Sequence, residues 1–406
     1  MEPFLAVIVV VLLGVAGYLY LSWQSTAPTD AKRPPNGPTE VAKPSKPVAK
    51  KPVKHHHAHH HAPHSDAAKA KQVHLPDHAL LSHVLKGHTG PITSACFSPN
   101  GRFIATASTD RTIRLTLRES LGSKNPTFKT INIPYDYATT CTFSCDGKTL
   151  GAVTADGQAV HLYSKFKAKP ELTHTFPIHE HPQGVASLLL NDVGDDWTTV
   201  VTVGKDDDTD IRCWAVDGTL LQSTNLNQLQ AYHGVQSKDN RFIAVASFTP
   251  EVKIYEIHRT KGTGTFEKLH KVMALQGHTS GVLDVAFDGS DSTPVNHIVT
   301  LSRDGTVRMW DINVRYKLQE DPKCIKTYTS DVVYSTVDIT PNGKVIALGH
   351  GHDVAFVRVD TMQVMLVIPQ AQEDTISRLQ FDAVGHELLV QGTRARVVKV
   401  YRTPDL

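Results

Sequence analysis

Residues 277–311, which read GHTSGVLDVAFDGSDSTPVNHIVTLSRDGTVRMWD, decide the fold. The stretch opens with Gly-His, ends with Trp-Asp, and contains two short apolar runs at 282–287 and 298–301. An Arg-Asp-Gly turn and a third run, 306–309, follow. Short β-branched runs bounded by Asp-Gly turns are typical of antiparallel strands. The stretch therefore predicts consecutive strands of one small sheet.

The Gly-His opening and Trp-Asp ending resemble the signature of a WD40 repeat, a unit of about 40–45 residues. The resemblance implies that the unit is a four-stranded blade of a β-propeller. We expect a structural tetrad here, in which Ser302 joins His278 to Trp310 and Asp304 fixes the imidazole of His278. This repeat alone carries all four residue types. One blade cannot bury both of its faces, so further blades are expected.

Six further repeats show the same order of apolar runs and turns. The first opens with Gly87-His88, and we expect a partial tetrad of His88, Ser108 and Asp110 because Thr116 replaces the tryptophan. The first apolar runs of the remaining repeats begin at Cys141, Gly184, Ala231, Val333 and Ile376. The pattern predicts an all-β, seven-bladed WD40 propeller over residues 81–406.

The seventh repeat offers only three runs, so closing the ring requires a strand from elsewhere in the chain. Residues 83–86, HVLK, immediately precede Gly87-His88 and can supply it. The seventh sheet would then pair the two ends of the propeller and leave no gap in the ring.

Residues 4–21 form an uncharged, mostly apolar stretch of about 18 residues, close to the minimum for a spanning helix. A cleaved signal peptide is the alternative, and it would need a basic segment before the stretch and a small-x-small site after it. Glu2 precedes the stretch and Ser22-Trp23-Gln24 follows it, so the sequence favours a membrane anchor over residues 1–25. No lysine or arginine precedes the anchor, and several follow it, which predicts a cytosolic propeller.

Residues 26–80 are rich in proline, lysine and histidine, a composition that predicts a disordered basic linker. Residues 55–64 read HHHAHHHAPH. Imidazole clusters bind zinc or copper. Because no acidic or cysteine ligand completes a site here, a solvated tract is the favoured interpretation.

No catalytic, cofactor or metal site is predicted. The acidic run at 206–208 is interpreted as a solvated turn rather than a cation site, because no further ligand spacing accompanies it. Gly262 and Gly264 lack the Lys-Ser/Thr of a phosphate loop. The five cysteines show no metal spacing and are expected to be buried thiols. A net charge of +2, concentrated in the linker, does not favour a nucleic-acid partner or a domain built for one.

The chain also resembles one branch of the WD40 family, the membrane-anchored transducin beta-like proteins. The residues that carry this resemblance are 110–114, 223–228, 248–253, 304–317 and 319–322. It departs from the branch at Thr116 and by ending at Leu406, before a helical C-terminal extension.

The resemblance implies a single-pass endoplasmic reticulum membrane protein that acts as a scaffold and not as an enzyme. Expected partners are proteins: the stress-activated kinase that phosphorylates initiation factor 2, and through it the translation machinery in the unfolded protein response. No small-molecule substrate is expected. The upper-face loops at 87–91, 277–281 and 331–334 are the expected contact points. The alternative is an anchored propeller enzyme of hydrolase type in the lumen.

Overall fold

The computed structural model describes residues 78–192, 198–290 and 293–405, which form seven four-stranded antiparallel sheets. This confirms the all-β, seven-bladed propeller. The predicted anchor at 1–25 and the linker up to residue 77, including the histidine tract, lie outside the described residues. Within the described ranges, no helix is long and apolar enough to cross a membrane.

The strands are numbered in chain order. They are β1 Leu81–Leu85, β2 Ile92–Phe97, β3 Phe103–Ser108, β4 Thr112–Leu117, β5 Phe128–Asn132, β6 Ala138–Phe143, β7 Leu150–Thr154, β8 Ala159–Ser164, β9 Glu171–Pro177, β10 Val185–Asp192, β11 Thr198–Gly204, β12 Asp210–Trp214, β13 Leu220–Asn225, β14 Ala231–Gln236, β15 Phe242–Ser247, β16 Val252–Arg259, β17 Phe266–Leu275, β18 Val282–Phe287, β19 His297–Ser302, β20 Thr306–Asp311, β21 Lys323–Thr329, β22 Thr336–Ile339, β23 Val345–His350, β24 Asp353–Arg358, β25 Gln363–Ile368, β26 Ile376–Phe381, β27 Glu387–Gly392 and β28 Val398–Arg402. Short 3-10 helices follow β4 at Arg118–Ser120 and β20 at Tyr316–Leu318.

Blades 1 to 6 each take four consecutive strands, from β2–β5 through β22–β25. Blade 7 is built from β26, β27, β28 and β1. β1 pairs antiparallel with β28, with Leu81 opposite Tyr401 and Leu85 opposite Val398. The predicted closure by the segment before Gly87 is therefore confirmed, although the strand begins two residues earlier than expected.

Burial within each blade falls from the second strand to the fourth. The second strands are buried along almost their whole length, as in β3 and β15, because neighbouring blades cover both faces. The fourth strands lie at the outer rim, and β9 and β13 are mostly exposed. Side chains of a solvated outer strand lack the apolar alternation that marks an inner strand.

The hydrophobic core of the described residues lies between blades and not within them. It divides into seven clusters, and each combines strands of two adjacent blades. Between blades 2 and 3, for example, the Phe176 ring packs 5.9 Å from the fully buried Trp214. Between blades 7 and 1, Val398 and Val400 pack with Ile92. Each interface depends on the presence of both neighbours.

Candidate interaction face and its supporting network

The strand order places two sets of loops at one end of the propeller. In each blade the second and third strands join at the same end at which the fourth strand leads to the next blade, because all four are antiparallel. We call this end the upper face. The predicted tetrads and the predicted contact loops all belong to it.

In blade 5, four side chains form a chain of hydrogen bonds beneath the upper face. Trp310 Nε1 donates to Thr300 Oγ1 at 2.9 Å, and Thr300 Oγ1 lies 2.7 Å from His278 Nε2. His278 Nδ1 lies 2.9 Å from Asp304 Oδ2. Burial lowers the pKa of His278 although Asp304 opposes it, so the ring is neutral near pH 7. A neutral ring donates to Asp304 and accepts from Thr300, which gives all four groups compatible roles.

The sequence-based role of Ser302 is wrong, because Thr300 is the hydroxyl that joins the histidine to the tryptophan. Both residues belong to β19, two positions apart on one face. Ser302 pairs with Val282 at the upper end of the strand, and its Oγ donates to Ser280 O at 3.0 Å and Gly281 O at 3.1 Å. Ser302 therefore anchors the incoming loop, and Thr300 lies deeper, within reach of the indole.

Blade 3 contains a second full tetrad, which the Gly-His and Trp-Asp motifs do not predict. His181 Nδ1 lies 2.6 Å from Asp208 Oδ2, and His181 Nε2 lies 2.7 Å from Thr202 Oγ1. Trp214 Nε1 donates to Thr202 Oγ1 at 2.8 Å. The prediction of one complete tetrad in the chain is therefore wrong. His181 follows Glu180, whereas His88 and His278 each follow a glycine. The blade 3 histidine therefore lacks the Gly-His motif.

Two signals in the sequence could have revealed this tetrad. His181 and Asp208 are 27 positions apart, close to the 26 that separate His278 from Asp304. Trp214 also lies at the end of the third strand of blade 3, and Trp310 is the last residue but one of the third strand of blade 5. The acidic run at 206–208 is accordingly only in part the solvated turn that we expected, because the Asp208 side chain is buried and bound to His181.

Blade 1 has the histidine, aspartate and threonine of the tetrad but not the tryptophan. His88 Nδ1 lies 2.8 Å from Asp110 Oδ2, and His88 Nε2 lies 2.9 Å from Thr106 Oγ1. Ser108, the residue expected in this role, instead donates to Gly90 O at 3.0 Å. Burial alone would raise the pKa of Asp110, but hydrogen bonds from Thr112, His88 and Thr89 lower it to about 2. Thr106, not Ser108, is thus the equivalent of Thr300.

The networks fix the loops of the upper face. In blade 5, Thr279 N donates to Asp304 Oδ2 at 3.0 Å and Arg303 N donates to Gly281 O at 3.0 Å. Gly277 precedes the histidine with φ of +153°, where a Cβ would lie 2.6 Å from the Arg308 guanidinium. Glycine is therefore required at this point of the loop.

The upper-face ends of blades 4, 5 and 6 carry several exposed or partly exposed side chains, most of them apolar or aromatic. We call this set the upper patch, and its members are Leu229, Tyr232, Phe248, Arg303, Val332 and Val333. The Arg303 guanidinium carbon lies 5.8 Å from the Tyr232 ring centroid and 5.1 Å from that of Phe248. Leu229 is 63% exposed and Val333 50%. Apolar side chains around an arginine stacked on aromatic rings are typical of protein-binding surfaces.

The three expected contact loops differ in what they contribute. Residues 331–334 supply Val332 and Val333 to the upper patch. Gly281 packs against the backbone of Phe248 and so supports the patch without offering a side chain. The loop at 87–91 belongs to blade 1 and adds no side chain to the patch. Leu229 and Phe248 lie outside the expected contact loops and come from the loops of blade 4.

Two segments, residues 80–116 and 269–311, match the WD40 family, described as WD domain, G-beta repeat. In these two segments the chain is similar to WD40-repeat proteins. It is 29% identical to human transducin beta-like protein 2 over 329 residues, which are 80% of this chain and 72% of the relative. Identity to the mouse protein of the same name is 28% over 361 residues, or 87% of this chain and 80% of the relative.

A third relative shares a shorter region. Human WD repeat and HMG-box DNA-binding protein 1 is 26% identical over 227 residues, which are 56% of this chain and 14% of that protein. The similarity to transducin beta-like protein 2, in contrast, extends over most of both chains. It agrees with the resemblance that the sequence motifs indicate.

The inner strands of the propeller are joined to one another around the central channel by side chains that form hydrogen bonds with the next blade. The bonds are Ser94 Oγ to Cys141 O (3.4 Å), Gly234 N to Ser187 Oγ (2.9 Å), Val337 N to Asp284 Oδ2 (3.0 Å), Phe381 N to Asp338 Oδ2 (2.6 Å) and Phe97 N to Gln380 Oε1 (3.0 Å). They satisfy backbone groups at strand edges that would otherwise be unpaired.

Two aspartates of the channel have opposite pKa shifts. Burial raises the pKa of Asp338 to about 6, although the hydrogen bond from Phe381 N opposes this. Burial also acts on Asp284, but the charge and hydrogen bond of His233, 2.7 Å away, lower the pKa below its usual value. The difference follows from the partners, because the imidazole of His233 lies within hydrogen-bond distance of Asp284, whereas the hydrogen bonds to Asp338 come from backbone N–H groups.

The five cysteines all lie in the described ranges and remain thiols. Cys96, Cys141 and Cys213 are buried, as predicted, and Cys145 is partly buried. Cys324 departs from the prediction because it lies on β21, an exposed outer strand.

We expect Thr300→Val to destabilise the protein more than Thr106→Val. The first change leaves His278 Nε2 and Trp310 Nε1 without their hydrogen-bond partner, and the second removes the partner of His88 Nε2 alone. The difference in the free energy of unfolding should be about 1–2 kcal/mol, the cost of one unpaired buried donor. Urea denaturation of the two variants measures it. Equal losses would show that the indole N–H contributes no stability.

We also expect Asp338→Asn to stabilise the protein at pH 7 and to have little effect at pH 4. The carboxyl group has a higher pKa folded than unfolded, so its charge begins to destabilise the fold above pH 4 and does so fully above pH 6. Asparagine keeps an oxygen that accepts from Phe381 N. The gain at pH 7 should be about 1–2 kcal/mol, allowing for solvent in the channel.

The matched variant Asp284→Asn should have the opposite sign at pH 7, because it removes a carboxylate that His233 stabilises. Urea denaturation at the two pH values distinguishes these outcomes. Loss of stability in Asp338→Asn at pH 7 would show that the charged form is the stable one in the channel.

Proposed function

We propose that this protein is a membrane-tethered, non-catalytic scaffold that binds proteins on the cytosolic face of the endoplasmic reticulum. The observation that supports binding is the upper patch, in which Arg303 stacks on two aromatic rings amid exposed leucine and valine. The apolar segment at 4–21 and the lysines that follow it support the tether and its orientation.

The polar side chains beneath the upper face support a structural role and not a catalytic one. Both ring nitrogens of His88, His181 and His278 are occupied by an aspartate and a threonine. A general base needs a nitrogen that reaches the substrate proton. These histidines therefore do not favour the alternative of a lumenal hydrolase.

We propose the stress-activated kinase of the endoplasmic reticulum as the partner, with translational control in the unfolded protein response as the process served. The similarity to transducin beta-like protein 2 supports this choice. Two proteins on one membrane meet at high effective concentration, so a patch of modest size suffices for association. The patch brings apolar area and one stacked arginine, and an apolar surface with nearby carboxylates on the partner would complement it.

The orientation has a direct test. Protease added to intact microsomes should degrade the propeller, because residues 81–406 face the cytosol in our proposal. Detergent-solubilised microsomes serve as the control for cleavage without the membrane barrier. Full protection in intact microsomes would place the propeller in the lumen and reject the scaffold proposal in its present form.

The binding face has a matched test in two double variants of the full chain. Leu229→Ser with Val333→Ser removes exposed apolar area from the upper patch. Leu318→Ser with Val384→Ser makes the same chemical change at the opposite end, where these residues are 71% and 60% exposed. Co-precipitation of the kinase from stressed cells should fall about tenfold or more in the first variant, which is the effect of roughly 1.4 kcal/mol.

The second double variant should bind as the unchanged chain does. Melting temperatures of both variants should match that of the unchanged chain, because all four side chains are solvated. Kinase binding that survives the upper-patch variant but is lost in its control would show that the kinase contacts the opposite end of the propeller. Binding that is unchanged in both would reject these two patches.

A further inference from the structure

Three side chains with metal-binding chemistry meet on the outer side of blade 4. Glu256 and His258 lie two positions apart on β16 and so point to the same face. His270 lies on β17 directly opposite Glu256. One ligand atom from each residue lies within 4.8 Å of those of the other two. None of these residues belongs to a tetrad, the upper patch or the central channel.

The carboxylate of Glu256 is already oriented by its neighbours. Its Oε1 accepts from the Tyr316 hydroxyl at 2.7 Å and from Arg241 Nε at 3.0 Å. Its Oε2 lies 3.1 Å from His258 Nε2. Ligand atoms bound to tetrahedral zinc at about 2.0–2.2 Å lie about 3.3–3.5 Å apart. The Oε2–Nε2 pair thus already has nearly the spacing that a shared zinc ion requires.

In metal sites, the carboxylate ligands usually accept hydrogen bonds from neighbouring side chains, as Glu256 does here. Arg241 and Tyr316 both donate to Oε1, and Oε2 is directed towards His258. Tyr316 belongs to the short helix that follows β20, so the site draws on blade 5 as well as blade 4.

His270 supplies a second, independent observation. Its Nδ1 atom is buried and has no hydrogen-bond partner in the part of the chain that the structure describes. The His258 and His270 ring centroids are 4.4 Å apart. A buried polar atom without a partner requires an explanation, and a metal ion bound by this ring gives one.

We propose that Glu256, His258 and His270 form a binding site for a zinc ion. Two imidazoles and one carboxylate favour zinc over calcium and magnesium, which prefer sites made wholly of oxygen atoms. The His258 side chain is 33% exposed, so solvent reaches the site and a water molecule completes the coordination. The bound ion joins β16 to the outer strand β17 and, through Glu256 and Tyr316, reaches blade 5.

The test uses the full chain with every histidine of residues 55–64 changed to glutamine, because that tract binds metal by itself. His258→Gln and His270→Gln are made in this host. The matched control is His297→Gln, which removes a half-buried histidine that pairs with Asp288 at 2.7 Å. Competition with a chromophoric chelator measures zinc affinity, and the melting temperature is recorded with and without zinc.

The host and the His297→Gln control should bind one zinc ion per chain, and zinc should raise their melting temperatures. Each of the other two variants should lose at least tenfold in zinc affinity and lose the rise in melting temperature, while melting as the host does without zinc. Copper and nickel, which also bind imidazole, are compared in the same assay.

The proposal is overturned if the host binds no zinc, or if His258→Gln and His270→Gln bind it as well as the host does. Should a glutamine variant unfold, the Co²⁺ spectrum of the host decides by itself. Intense visible bands of four-coordinate Co²⁺ support the site, and the weak bands of octahedral Co²⁺ reject it.

Discussion

The rest of the structure depends on one constraint, which is that no blade can bury its own faces. A single four-stranded sheet offers two apolar surfaces, and the seven clusters of the core each need a neighbour to complete them. Trp214 is almost fully buried only because Phe176 of the preceding blade covers it. The ring geometry therefore follows from hydrophobic burial, and it must close for every blade to be covered.

Hydrogen bonds between polar groups stabilise the loops of each blade and the contacts between neighbouring blades. Tetrads join the incoming loop of a blade to its second and third strands, and side chains such as Asp284 and Asp338 bond the backbone of the next blade around the channel. Both devices satisfy groups that the packing would otherwise leave buried and unpaired. The same rigidity positions the upper patch, because Phe248 packs on Gly281 and Arg303 lies in the turn next to Asp304. A binding surface on loops needs this kind of support.

The sequence predicted the inner strands well and the outer strands poorly, for a physical reason. Strands such as Phe103–Ser108 and Phe242–Ser247 are buried on both faces and read as unbroken apolar runs between turns. Glu171–Pro177 is exposed along most of its length, so solvent imposes no pattern on it. In the candidate site, too, the sequence predicted the strand but not the role of each residue on it. Thr300 and Ser302 have equivalent chemistry and lie on one face, and only the depth of each along β19 separates their roles.

Contacts between residues that lie far apart in the chain were the hardest to predict from the sequence. The pairing of Glu256 with His270 depends on the register of two strands joined by a glycine-containing loop, which no local motif specifies. The upper patch combines three blades, and its members share no spacing along the chain. His181 could have been found from its distance to Asp208, but only after the expectation of a preceding glycine was set aside.

The pairing of Leu81 with Tyr401 also has a consequence for synthesis on the ribosome. At roughly 5–20 residues per second, β1 leaves the ribosome on the order of 16–64 s before β28 does. For that interval the earliest strand of the propeller has no partner, and the growing row of blades exposes an apolar surface at each end. Nascent-chain factors that shield such surfaces would have to act on the whole incomplete ring, because the first and last blades meet only when the final strand has been made.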